Sequence, residues 1–367
     1  MRAKLRIGID GRGFVSPAPG IRRYTAGLVR GLLALGEPLD VVALGGPNSS
    51  ALPPGTGHID EPPHPPTNLG WTLVGIPRAA RRAGVDVIHA PAYTAPFWSP
   101  VPTVLTIHDV SYELHPQWYP YRRDWARRTF YRCSAHAAAH ILTVSAFSAS
   151  EIATAYRIPR ERITVAPLGV DPVFEPADGD GSAPLRPVVA APYLLHVGDL
   201  HERRNLSMLA DAVFAARRQL PSLSLVLVGT DRGVGTALRA AADRAGARDA
   251  LVHVTSLTDR QLRTLYRQAM AFVYPSVYEG FGLPLIEAMA SGAPVIAANA
   301  ASIPEVVGDA ALLLDPRARE QWTRAIVDIA RDEGRRARMR DAGLRRASQF
   351  SWDRTARLTL DVYRRVA

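Results

Sequence analysis

Two residue types are nearly missing from this chain of 367 residues. Lysine occurs once, as Lys4, against 43 arginines, and cysteine once, as Cys133. A phosphate loop ending Gly-Lys-Ser/Thr therefore has no lysine to use, and Schiff-base chemistry would have to run on Lys4 at the N-terminus. The single cysteine excludes an intramolecular disulfide framework and a multi-cysteine zinc site, favours a reducing compartment, and is expected to be a small buried apolar residue. No apolar run reaches the roughly 18 residues of a membrane span, and the stretch before Asp10 is too short for a signal peptide. A third glycine is lacking too. Each Gly-x-Gly, starting at Gly11, Gly55, Gly179, Gly233 and Gly280, misses the last glycine of a dinucleotide fingerprint, so nicotinamide and flavin chemistry lose their main support. The expectation is a cytosolic protein without a membrane span.

What is present is a globular composition, 47% apolar and 21% charged, long enough for between about two and three domains. Short apolar runs at Leu5 to Ile9, Asp40 to Ala43, Val85 to His89, Thr103 to Ile107 and His140 to Val144 read as strands. The second half repeats them at Tyr193 to Val197, Ser224 to Val228, Ala271 to Tyr274 and Pro294 to Ala297. Amphipathic stretches at Arg22 to Leu35, Tyr121 to Ala139, Met208 to Gln219 and Asp259 to Gln268 alternate with them as helices. This is the grammar of two doubly wound α/β domains built on parallel sheets. The expected division is residues 1–175 and 176–350, with the seam between Pro172 and Pro192 and a helix near 351–367 packing back onto the first domain. Pro47 to Pro66 reads as a surface loop. A ligand is expected in a cleft between the domains, at the carboxyl ends of both sheets.

The formal charge of +10 is concentrated toward the end, where Pro316 to Ala367 carries 14 Arg against 7 Asp plus Glu. That surplus reads as solvated helix faces. With neither a nucleic-acid reader module nor a single basic stripe, a basic nucleic-acid-binding protein is the weaker alternative. The stretch Trp118 to Arg132 interleaves cations with aromatics, which suits a membrane interface or a lipid-diphosphate acceptor, or else an amphipathic helix burying its aromatic face.

The richest stretch runs from Tyr274 through Glu279-Gly280-Phe281-Gly282-Leu283-Pro284 to Glu287 and Gly292. Two glycines, a proline suited to a first helical turn and a closing glycine predict a short helix beginning near Leu283. Its exposed amides make an anion site, with Glu279 in the loop before it and Glu287 in its first turns. A second element, Gly198 to Asn205, sets Arg203 and Arg204 just past a strand, two cations where a leaving diphosphate would need them in the absence of a metal. A third places His108 and Asp109 just past the strand at Thr103 to Ile107. Asp178-Gly-Asp180 has the spacing of a metal-binding Asp-x-Asp but sits among linker residues, so catalysis is expected to need no metal and no resident cofactor.

Together with Pro19-Gly-Ile-Arg-Arg-Tyr24, Ser145 to Ser148, Leu168 to Asp171, Ile303 to Gly308 and Phe350 to Asp353, these residues resemble the retaining glycosyltransferases of family 4. The resemblance spans nearly the whole chain, and its most specific part is the Glu279/Glu287 pair with seven residues between. It implies the GT-B fold of two facing Rossmann-like domains. It further implies that Arg203 and Arg204 hold the donor diphosphate with the amides of Gly280, Phe281, Gly282 and Leu283, that Glu287 binds ribose, and that Glu279 and His108 contact the transferred sugar. Gly20 and Gly198 would approach the donor phosphates, and Ser256 and Leu257 would lie near the base. Arg22, Tyr24, Asp109 and Ser145 are the candidate acceptor contacts. The implied reaction is transfer of a hexose with retention by front-face attack, mannose from GDP-mannose foremost and a UDP-hexose next, to a glycan, lipid-linked or small-molecule acceptor. A non-catalytic scaffold of the same fold would have no reason to keep the arginines and both glutamates. The implied site of action is the cytoplasm, with peripheral contact to the inner membrane face.

The sequence also departs from the family in two places. Arg204 stands where Lys is common, exchanging a point charge for a planar fork, and Arg22 replaces the second glycine of the N-terminal loop.

Overall fold

The computed structural model describes residues 4–47, 51–61, 67–119, 123–175 and 192–367. They form two compact units, the first comprising residues 1–169 with 351–367 and the second 170–350. In unit 1 the strands are β1 (Leu5–Asp10), β2 (Leu39–Leu44), β3 (Gly57–Ile59), β4 (Val87–Ala90), β5 (Thr103–Thr106), β6 (His140–Thr143) and β7 (Ile163–Val165), in the order β3-β2-β1-β4-β5-β6-β7. Unit 2 holds β8 (Tyr193–Val197), β9 (Ser224–Val228), β10 (Leu251–Val254), β11 (Ala271–Tyr274), β12 (Val295–Ala298) and β13 (Leu312–Leu314), in the order β10-β9-β8-β11-β12-β13. Every recorded pairing is parallel. Both units thus repeat the Rossmann order, with the winding reversing between β1 and β4 and again between β8 and β11.

Parallel strands covered on both faces read as continuous apolar runs, and β4, β5, β6, β8, β11 and β12 are buried along their whole length. The covering helices stop and start on local signals. Helix Asp259–Gln268 opens with a capping box in which Thr258 and Gln261 satisfy each other's backbone amides. Helix Pro19–Ala34 begins three residues before the expected Arg22, because Pro19 supplies a first-turn residue whose missing N–H costs nothing there.

The helix expected at Tyr121 to Ala139 is observed as Trp125–Ala137, capped by Asp124, whose carboxylate accepts from the Arg127 amide at 2.9 Å. It buries only Ser134 and Ala135, so Cys133 faces outward and is exposed, against the expectation of a buried thiol. The Pro-rich stretch contains a short edge strand, β3, paired to β2, where a loop was expected throughout.

The final helix, Trp352–Val366, belongs to unit 1 and packs against helix Pro19–Ala34. The approach is close enough to require glycine: a Cβ at Gly27 would lie 2.2 Å from the Trp352 ring, and one at Gly31 2.5 Å from its carbonyl oxygen. No helix among the described residues is long and apolar enough to cross a membrane.

Candidate active site

In unit 2 the reversal point sets the carboxyl ends of β8 and β11 side by side. Beyond β8 come Gly198, a tight turn at Glu202–Arg204, and Asn205, whose left-handed backbone (φ 54°) turns the chain into helix Leu206–Ala216. Beyond β11 the loop through Glu279 leads into helix Leu283–Ala290. The Val277 amide donates to the Arg203 carbonyl at 2.9 Å, tying the two loops, and Ser302 Oγ donates to the Glu279 carbonyl at 2.9 Å.

Arg204 is the centre of this arrangement. Its Nη1 donates to the Glu279 carboxylate and the Tyr274 hydroxyl, with Ser276 Oγ at 3.4 Å, and its guanidinium lies 5.2 Å from the Tyr274 ring centroid. Arg204 is 9% exposed and Glu279 4%, so each needs the other's charge. Gly198 makes room for this: its φ of 139° favours glycine, and a Cβ there would sit 3.3 Å from the guanidinium carbon. Arg203 is partly buried beside it.

Helix Leu283–Ala290 starts as the two glycines and the proline predict. Gly282 takes φ 98° at the cap, Pro284 lies in the first turn, and the amide end of the helix faces the loop of Glu279. Gly280 and Phe281 are buried, and Leu283 is partly exposed. Glu287 is buried on this helix, and the Tyr266 hydroxyl donates to its Oε2 at 3.2 Å. Ser256 and Leu257 follow β10, the first exposed and the second half-buried. Below the pair, fully buried His196 donates from Nδ1 to the Val273 carbonyl at 3.0 Å and stacks on Tyr274. Burial, reinforced by Arg204, holds this imidazole down to about 3, so it is neutral.

Unit 1 places His108 just beyond β5. Its Nε2 donates to the Pro91 carbonyl at 3.0 Å, which leaves Nδ1 as the acceptor of the neutral ring. Burial lowers its pKa, while the Pro91 bond and the charge of Asp109 oppose the shift. Asp109 accepts from the Ser111 amide at 2.9 Å and from its hydroxyl at 2.6 Å. Tyr93, at φ 55° an unusual conformation for a bulky residue, brings its ring to 6.1 Å from that of His108.

The candidate acceptor residues divide. Arg22 is exposed and donates to the Ser16 carbonyl. Gly20 lies in the first turn of its helix, exposed, and a Cβ there would meet nothing within 4 Å, so the protein's own packing does not demand glycine. Tyr24 and Ser145 are enclosed. Tyr24 is 1% exposed with its hydroxyl 2.7 Å from Thr106 Oγ1, and Ser145 is fully buried with its hydroxyl capping helix Ala146–Tyr156. Asp178 and Asp180 lie outside the described residues.

Sequence reasoning singled out Arg204 and Glu279 but did not foresee that they bond each other. It also gave no role to Tyr274 and Ser276, although both stand in the stretch from Tyr274 to Gly292, nor to His196 and Tyr93. A histidine inside the otherwise apolar run Tyr193 to Val197 was the available signal for a buried polar partner.

The profile of the glycosyl transferases group 1 family matches residues 184–346, and that of glycosyltransferase family 4 matches residues 19–174. O-antigen chain mannosyltransferase B of Escherichia coli is 32% identical over 268 residues, which cover 71% of this chain and 70% of that protein. The chain belongs to the group 1 glycosyltransferases. This glycosyltransferase is also 32% identical over 229 residues to the MMP alpha-(1->4)-mannosyltransferase of Mycolicibacterium hassiacum, covering 61% of this chain and 53% of the relative. It spans about half the length of several further curated relatives. Among solved structures, a sucrose-phosphate synthase from Thermosynechococcus elongatus matches 98% of both chains with a TM-score of 0.77 at 23% identity. The two Rossmann-like units and this structural likeness give the glycosyltransferase the GT-B fold.

Proposed function

We propose that this enzyme transfers a hexose with retention from a nucleoside-diphosphate sugar, mannose from GDP-mannose foremost, to a hydroxyl of a glycan, lipid-linked or small-molecule acceptor. The observation that carries the reading is the buried Arg204–Glu279 pair at the β8/β11 reversal, beside the amide end of helix Leu283–Ala290. A guanidinium and a helix N-terminus suit a diphosphate, and a carboxylate beside them suits sugar hydroxyls. Similarity to two mannosyltransferases supports the choice of sugar.

In this reading Arg203 and Arg204 take up the charge that builds on the departing diphosphate, so no metal is required. Glu287 holds the ribose and Glu279 the hydroxyls of the transferred sugar. His108, neutral and with Nδ1 as acceptor, takes a hydrogen bond from the sugar near its 6-position, and the leaving phosphate accepts the acceptor's proton in a front-face attack. Gly20 lets the donor phosphate approach helix Pro19–Ala34.

A thermal-shift panel of GDP, UDP and ADP with their sugars tests the donor, because the matching nucleotide stabilises the folded state by mass action. GDP and GDP-mannose are expected to give the largest shifts, and no shift with any nucleotide would remove the reading. Analysis of the anomeric configuration of the product tests retention. We further propose peripheral contact with anionic membrane through unit 1. Trp125 and Trp98 are 76% and 63% exposed, and Arg81 lies over the Trp98 ring. Absence of co-sedimentation with phosphatidylglycerol vesicles at low salt counts against that contact.

A further inference from the structure

We propose that Tyr363, on the final helix, is a positioning residue for His108 and acts through His89, Thr106 and Tyr24. The inference rests on the assignment of His108 to the transferred sugar. Tyr363, the three intermediaries and His108 all lie within unit 1.

The four side chains form an unbroken line through the interior. The Tyr363 hydroxyl meets Nδ1 of His89, Nε2 of His89 lies 3.0 Å from Thr106 Oγ1, and Thr106 Oγ1 lies 2.7 Å from the Tyr24 hydroxyl. The Tyr24 hydroxyl is also 3.3 Å from Nε2, so His89 touches every member. None of the four is more than 1% exposed. The line ends at His108, against which the Tyr24 ring stands edge-on, with centroids 4.9 Å apart and planes at 87°.

The direction of the hydrogen bonds follows from satisfaction. His89 is a neutral imidazole, with one donor and one acceptor. The enclosed Tyr363 hydroxyl has, among the described residues, its recorded hydrogen bond to His89, so it donates to Nδ1. The imidazole proton therefore sits on Nε2, facing Thr106 Oγ1, and the Thr106 and Tyr24 hydroxyls share the next hydrogen bond. Removing the Tyr363 hydroxyl leaves the Nδ1 lone pair unpaired in the core, and the ring must turn or change tautomer to recover a partner. Thr106 and Tyr24 would follow. The ring of His108 is then held by the Pro91 carbonyl and Tyr93 but loses the fixed edge of Tyr24. A group that must meet one sugar hydroxyl is sensitive to a displacement of this size.

Tyr363→Phe removes only the hydroxyl, and Tyr24→Phe breaks the line at its other end, so one serves if the other does not fold. Both are compared with wild type for kcat, for donor-nucleotide Kd, and for the ring-nitrogen NMR signals of His108, assigned with His108→Ala. Each variant is expected to keep the nucleotide Kd, shift the His108 signals, and lower kcat by about ten- to a hundredfold. An unmoved His108 signal overturns the inference whatever happens to kcat. So does a moved signal with wild-type kcat when His108→Ala is itself impaired. Wild-type turnover by His108→Ala removes instead the assignment of His108 to the sugar, and the ring signals still report whether the line reaches it.

Discussion

Glu279→Gln separates two roles that the Arg204–Glu279 pair combines. Without ligand, Glu279 is the counter-charge of a cation that is 9% exposed. The amide keeps the shape and one accepting oxygen but not the charge. Arg204 keeps a hydrogen bond but loses its counter-charge, so the loss should be about 2 kcal/mol, short of the roughly 3–5 kcal/mol for deleting one partner of a buried pair. A nucleoside diphosphate supplies the missing charge. In the wild type it must share the guanidinium with a carboxylate that repels it, whereas in the variant it becomes the counter-ion. Recovery of about 1.4 kcal/mol corresponds to roughly tenfold tighter binding. Transfer should nevertheless fall by about a hundredfold or more, because the contact to the sugar is lost in the transition state. Calorimetric titration of the best-binding nucleoside diphosphate, urea unfolding with and without it, and the transfer rate form the assay. Weaker or unchanged nucleotide binding in Glu279→Gln would refute the reasoning, since Arg204 would then not lie where the diphosphate binds.

Three further outcomes are expected. Arg204→Lys keeps the charge but loses the planar fork that reaches Tyr274 and Glu279, so kcat should fall about tenfold with a smaller change in donor-nucleotide Kd; wild-type kcat would contradict its role in taking up the charge of the departing diphosphate. His89 and His196 are each held down to about 3 by burial, so the unfolded chain takes up protons near the ordinary value of 6.5 while the folded chain does not. Stability should therefore be level above that value and fall toward acid by up to about 1.4 kcal/mol per pH unit for each histidine, a slope that His196→Phe reduces; equal urea midpoints at about pH 7.5 and 5 would count against it. Turnover in excess chelator is expected to match the untreated enzyme, and loss restored by Mg²⁺ or Mn²⁺ would show that the arginines do not suffice.

The strands were legible where they are central, because a buried parallel strand such as β8 or β12 is a continuous apolar run whatever surrounds it. Edge strands were not. β3, β7 and β13 span three residues each, too few to separate from loop, and β3 is hidden among prolines. In the candidate site the residue types were readable, since two arginines, two glutamates and a glycine-flanked turn are local features. Their pairing was not, because Arg204 and Glu279 stand 75 positions apart and meet only through the β8/β11 neighbourhood. Tyr24 and Ser145 show the reverse limit: a hydroxyl in a motif carries no sign of whether it faces a ligand or closes a core network.

Unit 2 is an insertion. The chain enters it at Val170 and leaves it at Phe350, and the Val170 amide donates to the Phe350 carbonyl at 3.2 Å. During synthesis, then, unit 2 can be complete as soon as residue 350 has emerged, while unit 1, begun first, still waits for the helix whose Trp352 fills the notch over Gly27 and Gly31. The usual order in which the N-terminal domain folds first is inverted at the last step. A chain that ended just short of Trp352 would keep all of unit 2 and leave the core of unit 1 open to water.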